Sequence, residues 1–472
     1  MNIEKITSPF TLVIFGASGD LAQLMLFPGL YELAEQNRFP GDFHIIGFAR
    51  TAKSDEEFRK EFADSVRRKY GDRTDETILD ELVTHVSYFT GDYANVMSFM
   101  ELRKKLDALH GEGPQTVVAY FSVPPSAFKP IVANLASTRR SKEDDIRLVL
   151  EKPFGSDLAS SEDLIYFTLG HFKEESLFLL DHYLGKSAVR SLVNLRRHNR
   201  VFDLLIEGEQ IDNIQISGLE GFGIKERVGY FDQVGMIRDY VQSHMLQMIA
   251  ITAMNLPVSE SASSFQREKN SILSALCFEP KVENAVLGQY ASYRSADPKV
   301  AESVTETFVA LKLGIDRENW FNVPIYLRTG KAVEAKRTYI TVEFRKLAFQ
   351  DPTDPPNRLI VELHPQERVS LTLYGDRENH VDGSALALSD SLACMGDDCL
   401  PPHALFLLDV FLGRRNFFLS FPEVVAAWKL TEKILSFTHS GSVELETYSD
   451  GSAGPIGATK LIERDGRKWF EL

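Results

Sequence analysis

The chain has 472 residues, of which 44% are hydrophobic and 25% charged, with a formal net charge of −15. That length predicts two domains with a core each, and the composition excludes collagen-like, disordered and membrane-spanning classes. The acidic balance argues against a nucleic-acid or membrane-surface binder, whose phosphates demand basic patches, so an anionic ligand would need a local cationic pocket. Cys277, Cys394 and Cys399 are too few for a disulfide framework and lack zinc-ligand spacing. They read as reduced thiols, and no metal centre is expected. The opening MNIEKITSPFTLV has no basic segment followed by a long apolar one, and no run of about 18 apolar residues occurs, which points to a cytoplasmic protein.

In chain order, FTLVIF (10–15) is an unbroken apolar strand, GASGDLA follows at once, and LMLFPGLYELAEQ has helical spacing. Strand, glycine loop and helix is the arrangement that binds a dinucleotide. Gly16 permits the tight turn, Gly19 lets the backbone approach a pyrophosphate, Ser18 offers a hydroxyl, and the helix points free N–H groups at the anion. The loop is not the plain G-x-G-x-x-G pattern, so an ordinary glycine turn is the alternative. The next strand, FHIIGFAR, ends in Arg50 where an acidic residue would accept from a free ribose. This favours NADP, because an arginine pairs bidentately with a 2′-phosphate, with Thr51 or Lys53 in support. A surface arginine is the alternative.

Further βα units follow: a helix near 54–70, a strand in HVSYFTGDY, a helix near 94–109, then strands in TVVAYFSVPP and IRLVLEKPFG. Lys152, between a glutamate and a proline, reads as a held cation, with a salt-bridged surface lysine as the alternative. SLFLLDHYLGK (176–186) reads as another buried strand whose carboxyl end crowds Asp181, His182, Tyr183 and Lys186, where open α/β sheets place ligands. Taken alone, it is equally a strand followed by a helix cap.

After Lys186 the pattern changes. A helix through LVNLRRHNRVFDLL leads to strand IDNIQISGLE and then to a helical stretch at 229–255, with Met236, Ile237, Val241, Met245 and Met248 at helical spacing. Asp239 and His244 would lie about 140° apart on an α-helix, off any one narrow face, and a histidine among apolar neighbours is by default a core residue. Six further strands, in KVENAVLGQYASY, SVTETFVALKLGI, FNVPIYLRTGKAV, RTYITVEFRK, NRLIVELHP and RVSLTLYG, predict a large antiparallel sheet. Helices near ALFLLDVFLGR and FPEVVAAWKLTEKIL would cover one face, leaving the other for self-association. DPTDPPN (351–357) reads as a surface loop.

GASGDLA, Arg50, VPP at 123, EKPFG at 151, DHYLGK at 181, GYFDQVGMIRDYVQSH at 229, GQYAS at 288, ETFVALKL at 306, VPIYLRTGK at 323 and YSDGSAGP together resemble the glucose-6-phosphate dehydrogenase family over nearly the whole chain. The resemblance implies an α/β Rossmann-type NADP-binding domain (1–182) and an α+β substrate-binding and dimerisation domain (183–472) with a large, mainly antiparallel sheet. It implies oxidation of D-glucose 6-phosphate at C1 to 6-phospho-D-glucono-1,5-lactone, the first step of the oxidative pentose phosphate pathway. NADP is the implied acceptor, with NAD a second acceptor in some members, and the assembly a homodimer or homotetramer. By the family pattern His244 is the base and Asp181 its carboxylate partner, a pairing that suits removal of the O1 proton as hydride leaves C1. His182, Tyr183 and Lys186 resemble a phosphate pocket, and Lys152 contacts both sugar and cofactor. Glu220, Asp239, Lys331 and Lys336 read sugar hydroxyls or phosphate. Gly16, Ser18, Gly19, Asp20, Leu21, Arg50, Pro124 and Lys152 make the cofactor side.

Two departures matter. Gln23, Leu24 and Met25 stand where the family has a basic triplet whose last lysine approaches the substrate. Loss of that charge-assisted contact would cost roughly 1.5–3 kcal/mol, about one to two decades in affinity or rate. RRHN at 196–199 is expected to alter only a helix surface. The competing readings are a weakly active or non-catalytic paralogue that binds NADP and a sugar phosphate, and a dehydrogenase of another sugar.

Overall fold

The computed structural model describes residues 4–110, 116–140, 144–224, 228–349, 354–374, 385–391 and 400–472. The chain divides into two compact units, neither continuous in sequence. The first comprises 1–155, 159–185 and 394–421, and the second 156–158, 186–393 and 422–472.

The first unit holds strands β1 (Phe10–Phe15), β2 (Phe43–Ala49), β3 (Val86–Thr90), β4 (Thr116–Phe121), β5 (Asp145–Leu150) and β6 (Leu177–Leu179). All pairings are parallel, in the order β3-β2-β1-β4-β5-β6, the order of a doubly wound dinucleotide fold. The apolar runs explain it: β1 buries all six of its residues, as a strand covered on both faces must. The helix Asp55–Tyr70 begins where the sequence directs, with Ser54 and Glu57 forming a capping box. After the glycine loop the chain turns helical, but Ala22–Leu26 is a π-turn before the α-helix Phe27–Glu35. The strand expected over 176–181 is Leu177–Leu179 in the structure, paired with β5 on one side and bridged from Leu179 to Leu419 on the other.

The helix Pro402–Phe411, expected over the second sheet, belongs to the first unit instead. Its Leu407 and Ala404 abut Gly29 of the helix Phe27–Glu35, and its Phe411 ring stacks on Phe10 at 4.1 Å between centroids. Arg147 of β5 closes its end, donating to the carbonyls of Val410 at 2.6 Å and Phe411 at 2.8 Å. An apolar helix shows no preference in its sequence for one sheet over another; packing decides.

The second unit holds β7 (Ile211–Leu219), β8 (Leu276–Cys277), β9 (Ala285–Tyr290), β10 (Phe308–Ile315), β11 (Ile325–Gly330), β12 (Arg337–Phe344), β13 (Arg358–His364), β14 (Arg368–Tyr374), β15 (Ala385–Ser391) and β16 (Leu445–Tyr448). Its sheet runs β15-β14-β13-β12-β7-β11-β10-β9-β16, with β8 beside β10. It is mixed and mostly antiparallel, with parallel pairs at β7–β11 and β9–β16. Strands β8, β15 and β16 were not foreseen, the first and last because two to four residues carry no periodicity.

The stretch expected as one helix over 229–255 is three segments. Val228–Met236 is broken at Gly235 (φ 70, ψ 170), a region open to glycine; Ile237–Met245 is π-helical, and Leu246–Ala253 is α-helical. Arg196 of RRHN is no surface residue. It is 3% exposed, and it donates to the carbonyls of Thr252 at 3.2 Å and Met254 at 2.9 Å, closing the last of these segments. Cys277 is a free thiol whose pKa is raised by burial and by the nearby Asp316 carboxylate; Cys394 and Cys399, and residues 351–353 of the expected loop, lie outside the described residues. Among the described residues no helix is long and apolar enough to cross a membrane.

Candidate active site

In the first unit the candidate residues gather at the carboxyl ends of the strands. Gly16 adopts φ 84, and a Cβ built there would lie 2.0 Å from the Ser122 carbonyl oxygen. Only glycine lets β1 exit this close to the end of β4, where the strand order reverses. At Gly19 a Cβ would meet just the Gly16 carbonyl, at 3.2 Å, so the outer side of the loop is open. A close-packed glycine below and open space above, followed by a helix start at Asp20 and Leu21, fit a diphosphate. Ser18 Oγ lies 3.3 Å from the Tyr88 hydroxyl, which donates to the Thr51 carbonyl at 2.7 Å. Tyr88 thus ties the glycine loop to the end of β2.

Arg50 follows β2, exposed, with its guanidinium 6.0 Å from the Tyr93 ring centre. Lys53, expected to assist it, is instead bound to Glu61, Nζ to Oε2 at 2.6 Å. Pro124 is exposed after β4, just before the turn Pro125–Ala127. Met25 and Leu24 are 36% and 53% exposed in the π-turn. Tyr88 and Tyr93 had no signal in the sequence beyond being aromatic.

Further along the same sheet edge, Asp181 is 1% exposed; its Oδ1 accepts the Tyr183 N–H at 2.9 Å and its carbonyl the Leu184 N–H at 3.1 Å. This tight turn continues through Gly185, which has the Phe406 ring against it, 2.2 Å from a built Cβ. His182 Nε2 lies 3.2 Å from Glu151 Oε2, and Glu151 Oε1 accepts the Tyr120 hydroxyl. Burial works against the charge of His182, but the bond to Glu151 and the Glu151 and Asp181 carboxylates outweigh it and raise the pKa, with Lys152 opposing. Burial likewise opposes ionisation of Glu151, yet His182 and Tyr120 bring its pKa below the usual value. Glu151, Asp181, His182 and Lys152 therefore form one electrostatic cluster. Glu151 stood in the quoted EKPFG motif without a role.

In the second unit one parallel pair does most of the gathering. β7 and β11 run side by side with Leu219 opposite Gly330, so the residues that follow, Glu220 and Lys331, emerge together, although 111 positions apart. They form an ion pair, and Lys331 Nζ also lies 3.8 Å from Asp239 Oδ2. Lys336 begins the return into β12, its backbone N 3.2 Å from a Cβ built on Gly221.

Asp239 and His244 sit in the π-helical segment Ile237–Met245. The expectation that they diverge around an α-helix is corrected here: in an i→i+5 ladder, residues five apart fall close to one face. Tyr240 lies over Gly218 of β7, 2.4 Å from a built Cβ there, and its ring is 5.4 Å from that of His244. At the segment's start, Glu306, 2% exposed, accepts the Ile237 N–H at 3.1 Å.

Lys186 Nζ lies 3.3 Å from Glu367 Oε1. Burial, then Lys336 and Lys186, lower the pKa of His364, a residue that sequence reasoning passed over and that marks these two lysines as electrostatic neighbours.

Residues 13–191 match the family described as glucose-6-phosphate dehydrogenase, NAD binding domain, and residues 193–470 match its C-terminal domain. The chain is 32% identical to glucose-6-phosphate 1-dehydrogenase 2 of Mycobacterium tuberculosis, over 99% of this chain and 95% of that one. It is 34% identical to the glucose-6-phosphate 1-dehydrogenase of Aggregatibacter actinomycetemcomitans, over 97% and 96%. Among solved structures, a glucose-6-phosphate dehydrogenase in complex with glucose 6-phosphate superposes with a TM-score of 0.89 at 28% identity, covering 100% of both chains.

Proposed function

The chain belongs to the glucose-6-phosphate dehydrogenase family, and from that membership we propose that it oxidises D-glucose 6-phosphate at C1 to 6-phospho-D-glucono-1,5-lactone, opening the oxidative pentose phosphate pathway. The observation in this chain that carries the reading is the meeting of Glu220, Asp239 and Lys331 beside the segment that bears His244. A sugar needs such a site: alternating acceptors and donors for its hydroxyls, next to a side chain that can take a proton.

NADP, when bound, supplies the hydride acceptor. Gly16, Ser18, Gly19, Asp20, Leu21 and Pro124 would hold it, with Arg50 on the 2′-phosphate and NAD as a weaker alternative. His244 takes the O1 proton as C1 becomes a carbonyl, and Asp181 acts as the carboxylate that favours the resulting imidazolium. His182, Tyr183 and Lys186 hold the phosphate, Lys152 serves sugar and cofactor, and Glu220, Asp239, Lys331 and Lys336 orient the sugar. Self-association through the second unit's sheet, as a homodimer or homotetramer, and a cytoplasmic location belong to the same reading.

Met25 favours a second reading, a paralogue that binds both ligands with little or no turnover. Absorbance of reduced nicotinamide separates the two. Glucose 6-phosphate with NADP should give turnover, and faster than with NAD. Binding of both without turnover would favour the paralogue, and turnover of unphosphorylated or ketonic sugars alone would overturn the substrate assignment.

A further inference from the structure

We propose that Glu151 is a positioning residue for the substrate's phosphate: a buried carboxylate clamped by the Tyr120 hydroxyl, it orients the His182 ring and supplies the counter-charge that keeps that ring cationic. The inference rests on the reading of His182 as a phosphate-binding group.

Three adjacent parallel strands build the arrangement. In register, Tyr120 of β4 lies opposite Val149 of β5. Side chains alternate along a strand, so Val149 and Glu151 share a face, and the Tyr120 ring on that face reaches the Glu151 carboxylate. The pairing of β5 with β6 runs one residue beyond the strand, the Leu180 N–H donating to the Leu150 carbonyl at 3.0 Å. Glu151 and the turn at Asp181 and His182 thus leave the sheet side by side, which places Glu151 Oε2 3.2 Å from His182 Nε2.

A carboxylate this deeply buried is costly unless both oxygens are satisfied. Here Oε1 accepts from Tyr120, which is 1% exposed, and Oε2 faces His182. The groups around the ring are Glu151 and Asp181, which favour its charge, Lys152, which opposes it, Tyr120 behind Glu151, and His403, whose ring centre is 4.8 Å away. His182 Nδ1 is buried with no hydrogen-bond partner among the described residues. A cationic imidazole donates from both nitrogens, so the ring lacks one acceptor, and a phosphate oxygen is a strong one.

The consequence is a pH dependence with a definite sign. The pKa of His182 is raised, so its charge is complete at low pH and is lost as pH rises through the raised value. Glu151 is lowered, so its carboxylate survives acidification until pH falls through the lowered value. Between these limits the pair is intact, and grip on the phosphate weakens on the alkaline side. His244, as the base, is needed in the opposite protonation state, neutral rather than cationic, so its requirement is felt at the acid end.

The test is the KM for glucose 6-phosphate against pH in the unmodified enzyme, Glu151→Gln, Glu151→Asp and His182→Gln. Glu151→Gln should move the alkaline rise in KM to lower pH by about one unit or more, giving roughly a ten-fold higher KM at pH values between the two limbs, with kcat and the KM for NADP changing far less. Glu151→Asp, which keeps the charge but retracts it, should give a smaller shift and serves if the glutamine variant does not fold. In the unmodified enzyme the alkaline rise should appear with glucose 6-phosphate and be absent with unphosphorylated glucose; its presence with both overturns the proposal. So does a Glu151→Gln profile that superimposes on the unmodified one while His182→Gln raises KM. If His182→Gln leaves KM unchanged, the phosphate-binding reading of His182 fails first and the inference falls with it.

Discussion

The two units assemble their parts of the candidate site by different means. In the first, each part is a strand end with the residues immediately following it: GASGDLA after β1, Arg50 after β2, EKPFG after β5 and DHYLGK after β6. A parallel sheet brings all its carboxyl ends to one edge, so motifs separate in sequence are aligned by topology alone. In the second, Glu220 and Lys331 meet only because β7 and β11 pair in parallel within a mostly antiparallel sheet, and Asp239 joins them from a helical segment. A parallel sheet makes a ligand edge by rule; in this mixed sheet the meeting falls at β7–β11, one of its two parallel pairs among the described residues.

The contrast sets apart His244 in the second unit, expected to carry turnover, from Arg50 in the first, expected to carry recognition of the cofactor. The largest expected effect is His244→Asn, which should lower kcat by about 10²–10⁴-fold with a modest change in the KM for glucose 6-phosphate, measured by nicotinamide reduction at saturating substrate. An unchanged kcat would remove His244 as the base. Next is Arg50→Ala. It should raise the KM for NADP by about ten- to a hundred-fold, the loss of a charge-assisted pair, and the KM for NAD much less; equal effects on both would take the 2′-phosphate away from Arg50. The smallest is Met25→Lys. Since Met25 is 36% exposed, a lysine fits without repacking, and kcat/KM for glucose 6-phosphate should rise by up to about ten-fold. No change would mean that the replaced basic triplet is silent here.

Legibility followed the same divide. The dinucleotide unit was readable because apolar runs such as FTLVIF mark buried parallel strands and because Gly16 has a steric requirement that other residues fail. Lys53 has Glu61 of the following helix as its partner, a pairing that the sequence could not name because it offers many carboxylates and no means of choosing. In the second unit most strands, though not β8, β15 and β16, are found by alternation, but the helix over 229–255 is read with the wrong period. The π-helical geometry of Ile237–Met245 changes the face on which His244 lies relative to Asp239, and nothing in the pattern of apolar residues announces an extra residue per turn. Arg196 was placed at the surface because a charge on a helix is usually solvated; besides Asp203 at 3.3 Å its partners are backbone carbonyls, which every residue possesses and no sequence distinguishes.

The sequence by itself determined the fold class, the glycine loop, the strand ends that carry Arg50, Glu151 and Asp181, and the family, because each depends on local sterics, on burial periodicity or on short motifs. Only the tertiary structure decided which residues meet: Tyr120 with Glu151 and His182, Glu220 with Lys331 and Asp239, and the helix Pro402–Phe411 with the first unit. Those meetings depend on strand order and register, which are set by the summed packing of the whole sheet and leave no local mark on the residues they join.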